Sequence, residues 1–499
     1  MRPISTRLGE GGLLAIGIGY LVVLSWMMGN LSYDIWGVMI VGPPLAVLGV
    51  LGLRRMFSGD LRPIANVMYL GVAARFAGAA AKYFVSFGVY GGTTDAEGYH
   101  DYASGAASKV WGGHASFISV LPGGTGTRFI QRFTSFVYTL IGTSKLAGYF
   151  VVAWMAMWGV ALFVKAACLA IPGLQNRRYA ALCVLGPSIV YWPSSIGKEA
   201  VMMLALGIAT YGLAGLLSRR RLVRPLLLVA VGLSLGGFVR PHLAGLWLAG
   251  LFPALVVALF RGRGQRDGRS GGFADRLLLL VIIVITAVAL VAVGSATVRY
   301  LNPGGEDKTT TTNSLTAILN ETTRRTSEGG SNFKPPPIRS PVDWPFASAR
   351  TLTRPLLFEA HNAGQLFSAI ELTAFIILCF ASARRLAHLP RLVLSTPYLA
   401  FAMTTLFLGG LAYSSFANLG ILTRQKSLVL PLMFLIPCVP VRSYKRDPKR
   451  TADEAQKTST SPSVRPQLDS GGVPASLTAR QVRTGPPWGN GAKPAVGRG

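Results

Sequence analysis

Long apolar runs that carry almost no charged residues recur along the whole chain. Of the 499 residues, 51% are hydrophobic and only 14% are charged, whereas about a quarter are charged in a soluble protein. About 20 apolar residues cross the hydrocarbon of a membrane. We therefore expect residues 1–441 to form an all-α, polytopic transmembrane helical bundle of about 12 spans. The spans are predicted at about 12–29, 36–53, 65–88, 147–171, 179–192, 199–217, 225–239, 243–260, 277–297, 363–382, 396–416 and 427–441.

Basic residues are concentrated in alternate loops between these runs. Cytoplasmic loops of membrane proteins carry an excess of lysine and arginine, so the alternation predicts a multi-pass plasma-membrane protein with both termini in the cytoplasm. The apolar run after Met1 lacks a small-residue cleavage site, which favours a first span over a signal peptide. The loops assigned to the cytoplasm contain Arg54, Arg55, Arg62, Arg177, Arg178, Arg219, Arg220, Arg221, Arg224, Arg261, Arg263, Arg266, Arg269, Arg276, Arg384, Arg385 and Arg391.

The formal net charge of +29 is of a size also found in nucleic-acid-binding proteins. Here the positive charge lies mostly in the alternate loops and in the C-terminal segment. It therefore indicates the orientation of the chain in the membrane, and no nucleic-acid partner is expected. Residues 442–499 are polar, basic and rich in Pro, Gly and Ser, which is typical of a disordered cytoplasmic tail. The tail is expected to be solvated, with contact to anionic membrane lipids as the alternative. The four cysteines form no metal-binding pattern and are expected to be small buried residues.

Two outer loops are long, at about residues 89–146 and 298–362. The first contains the apolar stretches 116–121 and 129–133, which are expected to lie as interfacial helices. The second contains a threonine run at 309–312 and a proline run at 335–337, typical of a mobile segment with a stiff end. Long loops of this kind are often lids or binding loops.

The first long loop carries an acidic cluster just after the third span. Asp95, Glu97, Tyr99, His100 and Asp101 lie within seven residues. A carboxylate in such a loop can accept a proton from a hydroxyl group or hold a divalent metal ion, and His100 could join a metal site. The alternative is an ordinary helix start in a solvated loop, with Asp95 at its cap.

Two tight outer turns carry cations next to the apolar core. Lys198 and Glu199 join spans five and six, where the lysine can bind phosphate and the glutamate can orient it or act as a base. Arg240 and His242 flank a proline that interrupts a long apolar run, and an arginine at that depth needs an anionic partner. The alternatives are a helix-capping pair at Lys198–Glu199 and a salt bridge from Arg240 to Glu199 or Glu359.

Spans ten and twelve also begin with polar residues. Arg354, Glu359 and His361 end the second long loop and are candidates for acid–base or hydrogen-bonding roles, or for anchors at the membrane interface. Arg424 lies in the last outer turn and is a candidate clamp for a phosphate group.

Three charged residues fall inside predicted spans. Arg75 and Lys82 are seven residues apart and therefore share a face of the third span. Glu371 of the tenth span is the expected counter-charge for one of them, and a structural ion pair is favoured over a functional role.

The charged outer segments resemble those of bacterial membrane polysaccharide polymerases of the Wzy and EpsG-like type, and more distantly those of GT-C-type glycosyltransferases. The resemblance rests on Asp95–Tyr99, Ser195–Glu199, Arg240–His242 and Arg424. Two features depart from the GT-C pattern, since the acidic motif follows the third span rather than the first and the large soluble outer domain is absent. The resemblance implies sugar transfer from a polyprenyl-linked donor at the outer face.

We therefore expect a membrane glycosyltransferase or polysaccharide polymerase. It would transfer saccharides from a polyprenyl-phosphate-linked donor to a glycan acceptor in cell-envelope polysaccharide synthesis. No cofactor is expected, and the alternative is a divalent metal ion at the site. Asp95 or Asp101 would be the base, and Lys198, Arg240 and Arg424 would bind phosphate. The alternatives are a transporter or flippase of a lipid-linked or anionic substrate and a non-catalytic assembly protein. Candidate catalytic residues are Asp95, Asp101, Glu199, Glu359 and His361, and candidate substrate-binding residues are Glu97, Tyr99, His100, Lys198, Arg240, His242, Arg354 and Arg424.

Overall fold

The computed structural model shows a helical bundle, and every regular element among its described residues is a helix. The described residues are 10–218, 222–261, 273–301, 322–324, 326, 327, 333, 335, 338, 340–360 and 363–441. The all-α fold class is therefore confirmed for this part of the chain. The predicted tail at 442–499, most of the second long loop and His361 lie outside the described residues.

The first half of the bundle contains nine α-helices. Short 3-10 turns lie at Gly59–Leu61, Phe117–Val120 and Trp192–Ser194, and a π-helical turn at Phe84–Val89 extends the third helix. The α-helices are α1 (Glu10–Asn30), α2 (Tyr33–Met56), α3 (Arg62–Tyr83), α4 (Asp95–Trp111), α5 (Thr127–Ile141), α6 (Lys145–Ala170), α7 (Asn176–Leu185), α8 (Pro187–Tyr191) and α9 (Lys198–Leu217).

The second half contains longer helices first and then several short, bent segments. Turns of 3-10 helix lie at Pro341–Asp343, Leu357–Glu359 and Ile436–Cys438. The α-helices are α10 (Val223–Val239), α11 (Pro241–Arg261), α12 (Phe273–Leu301), α13 (Trp344–Thr353), α14 (Ala363–Ala381), α15 (Ala383–Leu386), α16 (Leu389–Ser395), α17 (Pro397–Tyr413), α18 (Leu419–Lys426) and α19 (Leu430–Met433).

Each of the twelve predicted apolar segments contains helix, and several helices match the thickness of a membrane. Within the described residues, five helices are long and apolar enough to cross it. Two bent helix pairs raise the number to seven if each pair is one span: α16 with α17, bent by 114°, and the segment from α18 to Cys438, bent by 65°. Helices α1, α2 and α12 also expose large apolar side chains, including Leu21, Leu48 and Val288. Such surfaces are typical of contact with lipid.

Helix α9 is packed between α6 and α10 with the backbones in contact. A Cβ atom added at Gly207 of α9 would lie 2.3 Å from the carbonyl oxygen of Gly159 in α6. On the other side, a Cβ atom at Gly232 of α10 would lie 2.4 Å from the amide nitrogen of Ala209. Small residues allow membrane helices to approach this closely. Helix α9, which carries Lys198 in its first turn, is therefore held firmly in the bundle through its middle.

The acidic segment at residues 95–101 is helical, so its description as a loop is wrong. It forms the first turns of α4, with Thr94 as the residue before the helix. Acidic residues are favoured in a first turn because they compensate the unpaired amide groups there. Helix α4 packs against α5, which buries Phe129, Ile130 and Tyr138. The alternative of a helix start at Asp95 is the one that the structure bears out.

The two ends of the bundle differ in their charges. Arg62 begins α3 and Lys82 lies near its end, about 30 Å away at the helical rise of ~1.5 Å per residue. At the Arg62 end, charged groups are mostly arginines near chain turns; Arg178, for example, donates to Ser382 Oγ at 3.2 Å. The Lys82 end combines cations with carboxylates from α4 and α9.

Candidate functional site

Glu199 is the most buried carboxylate at the Lys82 end. It lies in the first turn of α9, and 1% of its side chain is exposed. Its Oε1 atom lies 2.6 Å from Arg240 Nη2 and 2.6 Å from Arg424 Nε, and its Oε2 atom lies 2.9 Å from Arg424 Nη2. Two guanidinium groups therefore neutralise one buried carboxylate, and one of them binds it through two nitrogens.

Arg240 reaches Glu199 because the chain breaks between α10 and α11. Pro241 lacks an amide hydrogen and cannot continue α10, so α10 ends at Val239 and α11 begins at Pro241. The Arg240 Nη1 atom donates to Gln425 Oε1 at 2.8 Å. Of the two partners proposed for Arg240 in a salt bridge, Glu199 is the one that it contacts.

Arg424 joins Glu199 to Asp95. Helix α18 begins after Asn418, whose side-chain oxygen accepts hydrogen bonds from the amides of the first turn, including that of Gly420 at 2.8 Å. The helix places Arg424 Nη1 2.9 Å from Asp95 Oδ2. One side chain thus connects the starts of α4 and α9 with α18.

Lys82 and Lys198 lie close to these charged side chains but form no ion pair with a described residue. Lys82 and Lys198 interact electrostatically with Asp95, Glu199 and Arg424, but neither makes a hydrogen bond to a described residue. The Lys82 ammonium lies 4.4 Å from the ring centre of Tyr191 and 4.7 Å from that of Trp192, a favourable cation–π arrangement. We call the six residues Lys82, Asp95, Lys198, Glu199, Arg240 and Arg424 the Glu199 cluster.

The Glu199 cluster carries more positive than negative charge. Four cationic side chains surround two carboxylates, which leaves an excess of two positive charges. The exposed fraction rises from 1% at the Glu199 side chain to 29% at Arg424 and 62% at Asp95. The Glu199 cluster is therefore most accessible to solvent on the side of Asp95 and Arg424. Burial raises the pKa of the nearby Tyr99 phenol, so its hydroxyl remains a hydrogen-bond donor.

No protein-family model matches the chain, and no curated protein or solved structure matches it either. The chemistry of the site is therefore inferred from the geometry of its residues.

The other predicted residues of α4 have separate partners. Glu97 pairs with Lys145 of α6 at 3.0 Å, while Asp101 is exposed. The His100 Nδ1 atom lies 2.8 Å from the Tyr138 hydroxyl. Burial, and then the charge of Lys145, lower the pKa of His100. His100 is thus a neutral contact between α4 and α5.

The acidic segment does not assemble as a metal site, because Asp95, Glu97 and His100 contact different neighbours. Across the described part of the chain, no group of three or more His, Cys, Asp or Glu side chains is placed to hold a metal ion.

Arg354 and Glu359 form a pair outside the Glu199 cluster. Arg354 Nη2 lies 2.6 Å and Nε 2.9 Å from the two carboxylate oxygens of Glu359, which also accepts from the Leu356 amide. Burial alone would raise the pKa of Glu359, but these hydrogen bonds lower it below its ordinary value. His242 lies in the first turn of α11, two residues after Arg240.

The expected pairing of Glu371 with Arg75 or Lys82 is wrong within the described residues. Glu371 accepts a hydrogen bond from the Ser188 amide at 3.3 Å, at the start of α8. Arg75 donates to the carbonyl oxygen of Ile189 in the same helix. Lys82 instead belongs to the Glu199 cluster, a placement that its position at the end of the third span could have indicated.

Proposed function

We propose that the protein is a membrane glycosyltransferase or polysaccharide polymerase that transfers a saccharide from a polyprenyl-phosphate-linked donor to a glycan acceptor. The observation that carries this proposal is the Glu199 cluster, in which two positive charges lack carboxylate partners beside an exposed carboxylate. Phosphate groups are anions that lysine and arginine bind well. The proposal therefore assigns the excess charge to the phosphates of the donor.

In this proposal, each part of the Glu199 cluster has one task. Glu199 holds Arg240 and Arg424 at fixed positions through its three short contacts. The half-buried Lys82 and Lys198 supply ammonium groups that have no hydrogen-bond partner among the described residues. Preorganised cations of this kind stabilise the charge that develops on a leaving phosphate.

Asp95 is the base that the geometry favours over Asp101. An acceptor hydroxyl oxygen would form a bond to the anomeric carbon of the donor sugar, and the bond from that carbon to the phosphate oxygen would break. The electron pair stays with the leaving phosphate, and the hydroxyl proton passes to Asp95. Asp95 is the exposed carboxylate of the Glu199 cluster, whereas Asp101 lies six residues further along α4, about 9 Å along the axis.

We place this chemistry on the outer face of the plasma membrane. The opposite end of the bundle is rich in arginine, and basic residues favour the cytoplasmic side of a membrane. The proposed topology has about 12 spans and both termini in the cytoplasm, which brings the first turns of α4, α9 and α11 to the outer surface. Membrane lipids surround the bundle in this arrangement.

The direct test is substitution in cells that produce the envelope polysaccharide, followed by separation of the glycan by size on gels. Asp95→Asn should shorten the chains severely, because a general base contributes about 10²- to 10⁴-fold to a rate. Arg240→Gln should act in the same direction through the loss of phosphate binding. The matched control is Asp60→Asn, an exposed carboxylate at the opposite end of the bundle.

The amount of protein in the membrane must be measured for each variant. Glycan of unchanged length in Asp95→Asn and Arg240→Gln, at normal protein levels, would contradict the mechanism. A loss in Asp101→Asn with full activity in Asp95→Asn would assign the base to Asp101 instead.

A transporter or flippase is the second candidate, and one feature of the bundle interior favours it. Arg75 is fully buried, and its Nε and Nη2 atoms have no partner among the described residues. A buried charge of this kind is often part of a substrate or ion pathway. The substitution His242→Cys, made in a chain whose four native cysteines are replaced, distinguishes the enzyme from the transporter. Labelling by an impermeant maleimide from the outside alone favours the enzyme, and labelling from both sides favours transport.

A further inference from the structure

The start of α5 is attached to the end of α10. The amide of Gly126, the residue before α5, donates to the carbonyl oxygen of Phe238 at 2.7 Å. The rings of Phe129 and Phe238 are stacked, with their centres 6.1 Å apart and their planes 3° from parallel. Because Arg240, which follows α10, belongs to the Glu199 cluster, this attachment lies at the Lys82 end of the bundle.

The end of α5 is attached to the start of α2. The Tyr33 hydroxyl donates to the carbonyl oxygen of Ile141, the last residue of α5, at 2.7 Å. Only the short turn at 57–61 separates the end of α2 from Arg62, so the start of α2 also lies at the Lys82 end. Helix α5, about 21 Å long, therefore joins two helices at the same end of the bundle. It runs across that surface and not through the bundle.

Apolar side chains are exposed along α5 and the segment before it. The rings of Phe117 and Phe136 have their centres 5.8 Å apart, and Leu140 lies one helical turn after Phe136. Trp111 Nε1 donates to the carbonyl oxygen of Thr139 at 3.2 Å, which places Trp111 beside Leu140. These contacts join the exposed side chains into one surface. We call the exposed Trp111, Phe117, Ile118 and Leu140 the Ile118 patch.

Positive charge accompanies the Ile118 patch. The segment 102–141 contains Lys109, Arg128 and Arg132 and no Asp or Glu. Lys109 and Arg128 are exposed, while Arg132 Nη2 donates to the carbonyl oxygen of Ser119 at 3.0 Å and holds the connecting segment on α5. Exposed apolar side chains next to basic ones match the boundary between the head groups and the acyl chains of anionic lipids.

The neighbouring end of α2 has the features of a membrane interface. Tyr33 and Trp36 lie in its first turn, with ring centres 4.7 Å apart, and tyrosine and tryptophan are enriched where a membrane meets water. Further along α2, large apolar side chains such as Ile40 are exposed, as on a lipid-facing helix. The Ile118 patch, attached beside Tyr33, therefore lies at the level where this surface of α2 begins.

We propose that residues 109–141 form a membrane-surface element, in which the Ile118 patch inserts among the lipids of the leaflet at the Lys82 end. Lys109 and Arg128 lie at the phosphate groups of anionic phospholipids. The inference goes beyond the proposed function, because it rests on the placement of α5 and needs no sugar transfer. It assigns a lipid-binding role to a part of the chain outside the Glu199 cluster.

The experiment measures the depth of a spin label at Ile118→Cys in the full-length protein, with the four native cysteines replaced. The protein is placed in nanodiscs of phosphatidylglycerol and phosphatidylcholine, and the accessibility of the label to oxygen and to a water-soluble nickel chelate is compared. We expect the label about 5–10 Å below the lipid phosphates, the usual depth of an interfacial apolar face. Leu140→Cys, at the other side of the patch, should give the same result.

Two positions serve as controls. Ile40→Cys, on the exposed surface of α2, should favour oxygen, and Asp60→Cys, exposed at the opposite end of the bundle, should favour the nickel chelate. Preferential access of the nickel chelate to the labels at 118 and 140 would overturn the proposal, because the patch would then face water. Immobile labels that neither reagent reaches would also overturn it, since a protein surface would cover the patch.

The lipid composition tests the charged part of the proposal. In nanodiscs of phosphatidylcholine alone, the label at 118 should lie closer to the water, because the attraction of Lys109 and Arg128 to anionic lipid is lost. An equal depth in the two lipid mixtures would contradict the placement of these residues at anionic phosphates. Failure of this experiment leaves the test of the Asp95 mechanism separate.

Discussion

Glu199→Gln is the substitution with the largest expected effect on stability, because the carboxylate is buried between two guanidinium groups. Its three contacts of 2.6, 2.6 and 2.9 Å all involve charged donors. The glutamine side chain keeps the shape and one acceptor oxygen, but its NH₂ group faces an arginine. The excess positive charge of the cluster also rises by one. Removal of one partner from a buried ion pair costs about 3–5 kcal/mol, and we expect a loss of unfolding free energy in this range.

The assay is reversible unfolding in mixed micelles of dodecyl maltoside and SDS, which yields the free energy of unfolding for each variant. The matched control is Glu97→Gln, whose pair with Lys145 is single and has 31% and 18% of the two side chains exposed. Pairs near the surface contribute about 0–1 kcal/mol. The double variant Glu199→Gln, Arg240→Gln should be more stable than the sum of the single losses predicts, because the second change removes the unpaired charge.

A loss below about 0.5 kcal/mol in Glu199→Gln would refute this reasoning, since that is the range of ordinary surface substitutions. It would mean that water or lipid reaches the carboxylate and screens the two arginines.

Three further outcomes follow from other contacts. Burial lowers the pKa of His100, so the unfolded chain binds the proton more readily. Stability should be full above the ordinary pKa of about 6.5 and fall as the pH drops below it. His100→Asn should flatten this dependence in unfolding titrations, and an unchanged dependence would contradict the assignment. Gly207→Val should destabilise the bundle by about 1–3 kcal/mol or more through overpacking, because a Cβ atom there would lie 2.3 Å from a backbone oxygen of α6. Gly98→Ala, at an open position of α4, should be neutral or stabilise the protein by up to about 1 kcal/mol, and a drop in its folded yield would contradict the packing of α4.

The helices in the apolar segments were predictable from local patterns, whereas their contacts were not. The apolar runs predicted helix in each of the twelve apolar segments, and Pro241 predicted the corner at Arg240. The contact of Arg424 with Asp95 joins residues 329 positions apart. No local pattern predicts a contact between residues so far apart in sequence, because the contact depends on how α4, α9 and α18 pack together.

The local sequence also led to wrong predictions for some residues. Asp95 was read as part of a loop because glycines and polar residues surround it, yet the same residues form a helical first turn. Glu371 was assigned to a cation because charges inside a span need partners, but a single backbone amide, that of Ser188 at the start of α8, donates to its carboxylate.

The central claim is that the unmatched charges of the Glu199 cluster bind the phosphate of a polyprenyl lipid. The most direct measurement is the dissociation constant of farnesyl phosphate for the full-length protein in detergent, with farnesol as the neutral comparison. We predict that farnesyl phosphate binds far more tightly than farnesol, and that Lys82→Gln and Lys198→Gln each raise its dissociation constant about 10-fold, as expected for a charged hydrogen bond. Equal binding of the two lipids, or unchanged affinity in both lysine variants, would contradict the claim.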